Sequence, residues 1–282
     1  MPPRRDEDSN ARAAAAAQRE ATRLEHFNPY YALSGFVVGA VVGMTGVGGG
    51  SLITPVLVLL FGVSPATAGG TDHLYAAATK GGGTLVHAYN RTVAWHIVAW
   101  LAAGSLPTAV VTLYLLSRVG VANTRIAHAI TLSLGVALLL TALSLLFRAR
   151  LHRIAEAWAR PSRPRRRILT LVTGASLGFF VSISSVGAGA LGVTALLLLY
   201  PRLPAVRIVG TDIAHAVPLT LIAGAGHWWL GSVDVAMLLS LLAGSLPGIA
   251  IASAFAPRMP ENFLRPALAL ILTIVGARLI FA

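Results

Sequence analysis

The chain has 282 residues, of which 56% are hydrophobic and only 11% charged, with a mean hydropathy of +0.74. That is far too apolar for a soluble domain, and several apolar runs reach the length of about 20 residues that a bilayer-crossing helix needs. The net charge of +12 comes from arginines clustered between apolar runs, the pattern of a membrane protein and not of a nucleic-acid binder. With no cysteine there is no disulfide or thiolate metal site.

Residues 1–30 form a polar tail in which five arginines are matched by five acids, with no apolar stretch of a secretory leader. It reads as a tail, in part a surface-lying helix. Apolar segments then cover roughly 33–61, 68–89, 93–116 and 126–147, and again 170–200, 209–230, 234–256 and 264–282. Turn and charge signals such as Gly62-Val63-Ser64-Pro65 and Pro201-Arg202-Leu203-Pro204 separate them. The expected organisation is a transmembrane unit over 31–147, an arginine-rich connector over 148–169, and a second transmembrane unit over 170–282. Eight arginines and one glutamate between Arg148 and Arg167 put that connector on the cytoplasmic side.

The two units repeat one another. Gly70-Thr71-Asp72 recurs as Gly210-Thr211-Asp212, His87 as His227, and Gly104-Ser105-Leu106-Pro107 as Gly244-Ser245-Leu246-Pro247, each 140 positions apart. Val47-Gly48 and Gly50 match Val186-Gly187 and Gly189 at a spacing of 139. The fold class expected is therefore an all-α polytopic membrane protein of two homologous helical repeats with broken or re-entrant first helices, an architecture common among secondary transporters. Whether 33–61 crosses once, giving parallel halves, or turns back as a hairpin, giving inverted ones, is not decided by the arginine distribution.

The break falls at Thr45-Gly46-Val47-Gly48-Gly49-Gly50, followed by Ser51, since glycines disfavour a continuous helix. Backbone groups freed at membrane depth need protein or a wet cavity to receive them. A helix starting after such a loop presents N–H groups and a positive dipole end to an anion. Thr45, Gly46, Gly48, Gly49, Gly50 and Ser51 are candidate substrate-binding residues, as are Ser184, Ser185, Gly187 and Gly189 in the other half. Gly39 and Gly43, spaced as Gly-x3-Gly, read instead as helix-packing positions.

Lys80 is the single lysine of the chain and lies deep within 68–89, about 13 Å from the nearer end, a long way to snorkel. His73, Lys80 and His87 are seven residues apart and fall within about 20° of one another on a helix, so a cation flanked by imidazoles can meet an anion. Thr71, Asp72, Thr211 and Asp212 sit where the next span begins; they are open to a helix-capping role or to proton coupling by an intramembrane carboxylate. His215, one turn after Asp212, is within reach of it, and Pro218 frees the carbonyl of Ala214. His87 and His227, near Trp95, Trp228 and Trp229, also fit an interfacial aromatic belt. Neither a metal site nor catalysis is expected: no His-Glu-x2-His occurs, and Ser184 or Ser185 with His215 lacks a nucleophile elbow.

The run Gly39-x3-Gly43-x2-Gly46-x-Gly48-Gly49-Gly50, Pro55 after it, the Gly-Thr-Asp element, and His87-x4-Thr92-Val93-Ala94-Trp95 followed by Gly-Ser-Leu-Pro resemble the TauE/SafE family of sulfite and organosulfonate exporters. Both repeats carry the pattern, over about 35–282. The resemblance implies a bacterial inner-membrane permease exporting a small sulfur-containing or organic anion, without a cofactor. Its partners would be that anion and the lipid bilayer, with no nucleic acid; self-association into a homo-oligomer is left open. An anion channel or a non-transporting scaffold is the alternative class. An interior-negative membrane expels an anion with about 2.3 kcal/mol per charge for each 100 mV, so export as a uniport needs no other fuel.

Overall fold

A computed structural model describes residues 28–45, 50–119, 124–157, 162–187, 189–255 and 261–281. Those residues form ten α-helices: α1 Pro29–Thr45, α2 Gly50–Phe61, α3 Pro65–Tyr89, α4 Trp95–Val119, α5 Thr124–Ala157, α6 Arg163–Ser184, α7 Ala190–Leu199, α8 Ala205–Trp229, α9 Val235–Phe255 and α10 Glu261–Phe281. No strand occurs among the described residues. The chain is an all-α polytopic membrane protein: Trp95–Val119, Ala127–Phe147, Arg163–Ser184, Ala205–Trp229 and Val235–Ala252 are each long and apolar enough to cross a bilayer.

Local chemistry sets the boundaries. Ser64 opens α3, its hydroxyl accepting from the Thr67 N–H at 3.2 Å with Pro65 in the first position, and the helix closes at Asn90. Ser162 precedes α6, which ends where Ser185 takes a left-handed φ of 58°. Pro55, Pro107, Pro218, Pro247 and Pro266 lie inside helices, which is tolerated in lipid because neighbouring helices re-satisfy the freed carbonyls. α5 continues to Ala157, past the apolar span that ends at Phe147, and α6 begins at Arg163. Helix therefore reaches into the arginine-rich connector from both sides.

The principal packing pairs are α1 on α9, α6 on α4, α3 on α8 and α5 on α10. Exchanging α1–α5 for α6–α10 turns the first pair into the second and leaves the other two unchanged. Glycines make the exchanged pairs close. A methyl group on Gly39 would lie 2.5 Å from the Ser245 carbonyl oxygen, and one on Gly104 or Gly244 would collide with the Leu171 or Ala32 carbonyl oxygen of the opposing helix. Gly39 is thus a packing residue, as its spacing suggests: without a Cβ, backbones approach and gain dispersion contact that lipid does not supply. Apolar side chains face outward, among them Leu60, Leu85, Trp229 and Phe281, while polar ones gather on α3 and α8.

Candidate functional site

α3 and α8 cross at the centre, and between them they carry Thr71, Asp72, His73, Lys80, Thr211, Asp212, His215, Thr220 and His227, all buried. Buried polar groups must find partners, and the partners come from the other elements.

Thr71 and Asp72 stand two turns inside α3, not at its start, because Ser64 and Pro65 begin the helix earlier. Capping of their own helix is thereby corrected, and the same holds for Thr211 and Asp212 in α8, which starts at Ala205. The threonines instead serve the opposite half. Thr71 Oγ1 accepts from the backbone N–H of Asp234, just before α9, at 3.0 Å. Thr211 Oγ1 accepts from that of Ala94, just before α4, also at 3.0 Å. Each hydroxyl satisfies an orphan donor at a helix start that its own half does not contain.

The aspartates lie against the short helices, Asp72 at the second turn of α2 and Asp212 at the first turn of α7. Asp72 Oδ2 accepts from Thr54 Oγ1 of α2 at 2.6 Å and from Ser185 Oγ, in the turn after α6, at 2.9 Å. Asp212 rests on α7: a methyl group on Gly192, third residue of that helix, would collide with Asp212 Oδ1. The remaining Oδ1 of Asp72 and Oδ1 of Asp212 are buried with no hydrogen-bond partner among the described residues. A carboxylate beside a helix N-terminus is favoured by the dipole, equivalent there to about half a positive charge.

Lys80 is 5% exposed, so it does not snorkel to water. Its charge acts on both carboxylates and on His73 and His215, and at low dielectric such interactions are strong. The three-residue face expected on α3 is only partly realised. His73 is buried with Nδ1 2.5 Å from the Gly69 carbonyl oxygen and Nε2 2.7 Å from that of Val181. His87 stands apart at the helix end, Nδ1 2.8 Å from the Thr92 hydroxyl. His227 is not interfacial: it is 1% exposed, its Nε2 is 2.9 Å from the Ser182 carbonyl oxygen, and its ring stacks on His73 with centroids 5.1 Å apart. His215 Nε2 meets Ser105 Oγ of α4 at 2.8 Å, not Asp212.

The second break is described nearly throughout. Gly187 and Gly189 have φ of 127° and 153°, conformations that only glycine adopts readily. The chain thus turns from Ser184 into α7 within a few residues. Ser184 Oγ donates to the Phe180 carbonyl, back-bonding within α6. In the first half, Thr45 ends α1 and Gly50 and Ser51 begin α2. Gly46, Gly48 and Gly49 lie outside the described residues. Three contributors escaped the sequence reading. Thr54 had no signal beyond its place before Pro55; Ser105 stood in a repeated motif without a role; Gly192 had no polar atom to draw notice.

The fold and this centre define a class: a multi-pass helical membrane protein whose ionisable groups are gathered at the crossing of its two halves. A family model described as sulfite exporter TauE/SafE matches residues 31–279, and the chain belongs to that family. "Probable membrane transporter protein YjnA" of Bacillus subtilis (strain 168) is 38% identical over 250 residues, covering 88% of this chain and 98% of the relative. "Probable membrane transporter protein YdhB" of the same organism is 25% identical over 250 residues, covering 87% and 97%. No solved structure matches. The chain is accordingly a membrane transporter by family, and these names point to transport and not to catalysis; a place in the bacterial inner membrane is consistent with both.

Proposed function

We propose that this transporter carries a small sulfur-containing or organic anion, of the sulfite or sulfonate kind, and exports it across the bacterial inner membrane. The observation that carries the reading is Lys80, the chain's single lysine, 5% exposed on α3 at the point where α8 crosses it. Its charge acts together with those of Asp72 and Asp212, and an intramembrane cation held by carboxylates is one that an incoming anion can compete for. The anion is held by Lys80 and by the first turns of α2, from Gly50 and Ser51, and of α7, with Ser184, Ser185, Gly187 and Gly189 leading into the second; Thr45, Gly46, Gly48 and Gly49 stay candidates by sequence. His73, His215 and His227 supply further polar contacts nearby. The 140-residue register supports two repeats, 31–147 and 170–282, rocking about this point, with the 148–169 connector cytoplasmic by its arginines.

The test is uptake into proteoliposomes of sulfite, sulfoacetate, methanesulfonate, thiosulfate and sulfate. Saturable flux of a sulfur oxyanion is the expected result. Flux that rises linearly with concentration makes the protein a channel, and absence of flux for every anion overturns the reading.

A further inference from the structure

From the placement of the two aspartates we infer that Asp212 holds the anion's place in the empty protein and leaves it by taking up a proton, so that one proton crosses with each monoanion. The inference rests on the carrier reading above and deepens it. Counted at formal charges with neutral imidazoles, Asp72 and Asp212 bring two negative charges and Lys80 one positive, a sum of −1 that would repel an incoming anion. The groups able to attract an anion are Lys80 and the first turns of α2 and α7, and a carboxylate already lies on both helices: Asp72 at Thr54, one turn into α2, and Asp212 at Gly192, in the first turn of α7. The aspartates are tethered anions in a site for anions.

The two are not equivalent. Asp72 Oδ2 accepts from two hydroxyls, Thr54 of α2 and Ser185 after α6, which anchor it in place. Among the described hydrogen bonds, Asp212 accepts none from a side chain, and its buried Oδ1 faces α7 without a partner. Lys80 of α3 acts on Asp212, and Asp72 and His73 of α3 and His215 of α8 are coupled in turn to Lys80, with His227 stacked on His73. α7 has no titratable side chain between Ala190 and Leu199. When an anion takes Lys80 and the α7 turn, Asp212 loses both and binds a proton from the water on the open side. The proton returns to water when the anion leaves on the other side. One negative and one positive charge have crossed, so the cycle is electroneutral, and the membrane potential drops out of the driving force. Export then runs on the anion gradient wherever it exceeds the opposing proton gradient.

Methanesulfonate is the probe, because its charge stays fixed over the neutral pH range. In proteoliposomes of the full chain, a one-unit pH difference drives about tenfold accumulation, with one proton counted per anion by an internal dye and no response to a potassium diffusion potential. Binding to the purified protein strengthens by up to about tenfold per unit fall in pH, and D212N removes that dependence while D72N keeps it. Saturable flux that follows voltage and ignores the pH difference overturns the proton exchange and leaves the carrier standing. Loss of the pH dependence in D72N but not D212N overturns the choice of Asp212. Absence of saturable flux overturns the carrier reading and this inference with it. Should D212N fail to fold, the wild-type proton count decides alone.

Discussion

Substituting Gly104 by alanine tests the packing of the two halves. In an ordinary exposed helix, glycine to alanine stabilises by about 1 kcal/mol, through propensity alone. At Gly104 the new methyl collides with the Leu171 carbonyl oxygen and lies 2.8 Å from the Ala175 nitrogen, both backbone atoms of α6. Backbone does not rotate away as a side chain does, so α4 and α6 must separate, at an overpacking cost of about 1–3 kcal/mol. Gly244 is the same case on the other pair, its methyl colliding with Ala32 and lying 2.9 Å from the Phe36 nitrogen of α1. Gly82 is the control, a helical glycine whose methyl meets nothing within 4 Å. The propensity gain is common to all three variants, so the expected gap between G82A and either G104A or G244A is the overpacking cost of about 1–3 kcal/mol, which at ~2–4 °C per kcal/mol for a chain of this size is a melting difference of roughly 2–12 °C. Thermal unfolding in nanodiscs, followed by tryptophan fluorescence, measures it. If G104A and G244A melt with G82A or above it, the helices do not meet through these glycines and the reasoning fails.

Two further outcomes follow from the centre. K80Q keeps a polar side chain but removes the charge; the half-saturating anion concentration should rise by about tenfold or more, since a hydrogen bond to a charged group is worth about 1.5–3 kcal/mol, and unchanged saturation kinetics would take Lys80 out of the site. T54V and S185A each remove one donor from Asp72 Oδ2, and each should lower stability by about 1.5–3 kcal/mol in denaturant titrations; in the double variant the losses should fall short of their sum, because both donors serve one oxygen.

Much of the architecture was legible in advance because membrane helices leave coarse traces. Hydropathy located the apolar segments, and the glycines Gly187 and Gly189 fall where φ is positive between α6 and α7. Helix starts were harder. Ser64-Pro65 read as a separator between spans, yet it is the cap of α3, and that two-turn error is what put capping among the readings of Thr71 and Asp72. His227 read as interfacial because it ends an apolar segment beside Trp228 and Trp229. It is drawn inward because Gly70 lets α3 approach: a methyl there would lie 3.1 Å from His227 Cβ. Seven-residue spacing put His87 under Lys80 on a helical wheel, but a wheel carries no information on where the helix leaves the core, and His87 pairs with Thr92 at its end. Partners from distant elements, Thr54 and Gly192 for the aspartates, are invisible to any local pattern.

The exchange of α1 and α6 has a consequence for assembly. Each half lends its opening helix to its neighbour and borrows one back, so neither 31–147 nor 170–282 encloses a finished interior by itself. Cut in the connector, the chain would yield two fragments that need one another. The connector holds both within one chain and so replaces a bimolecular encounter by a tether.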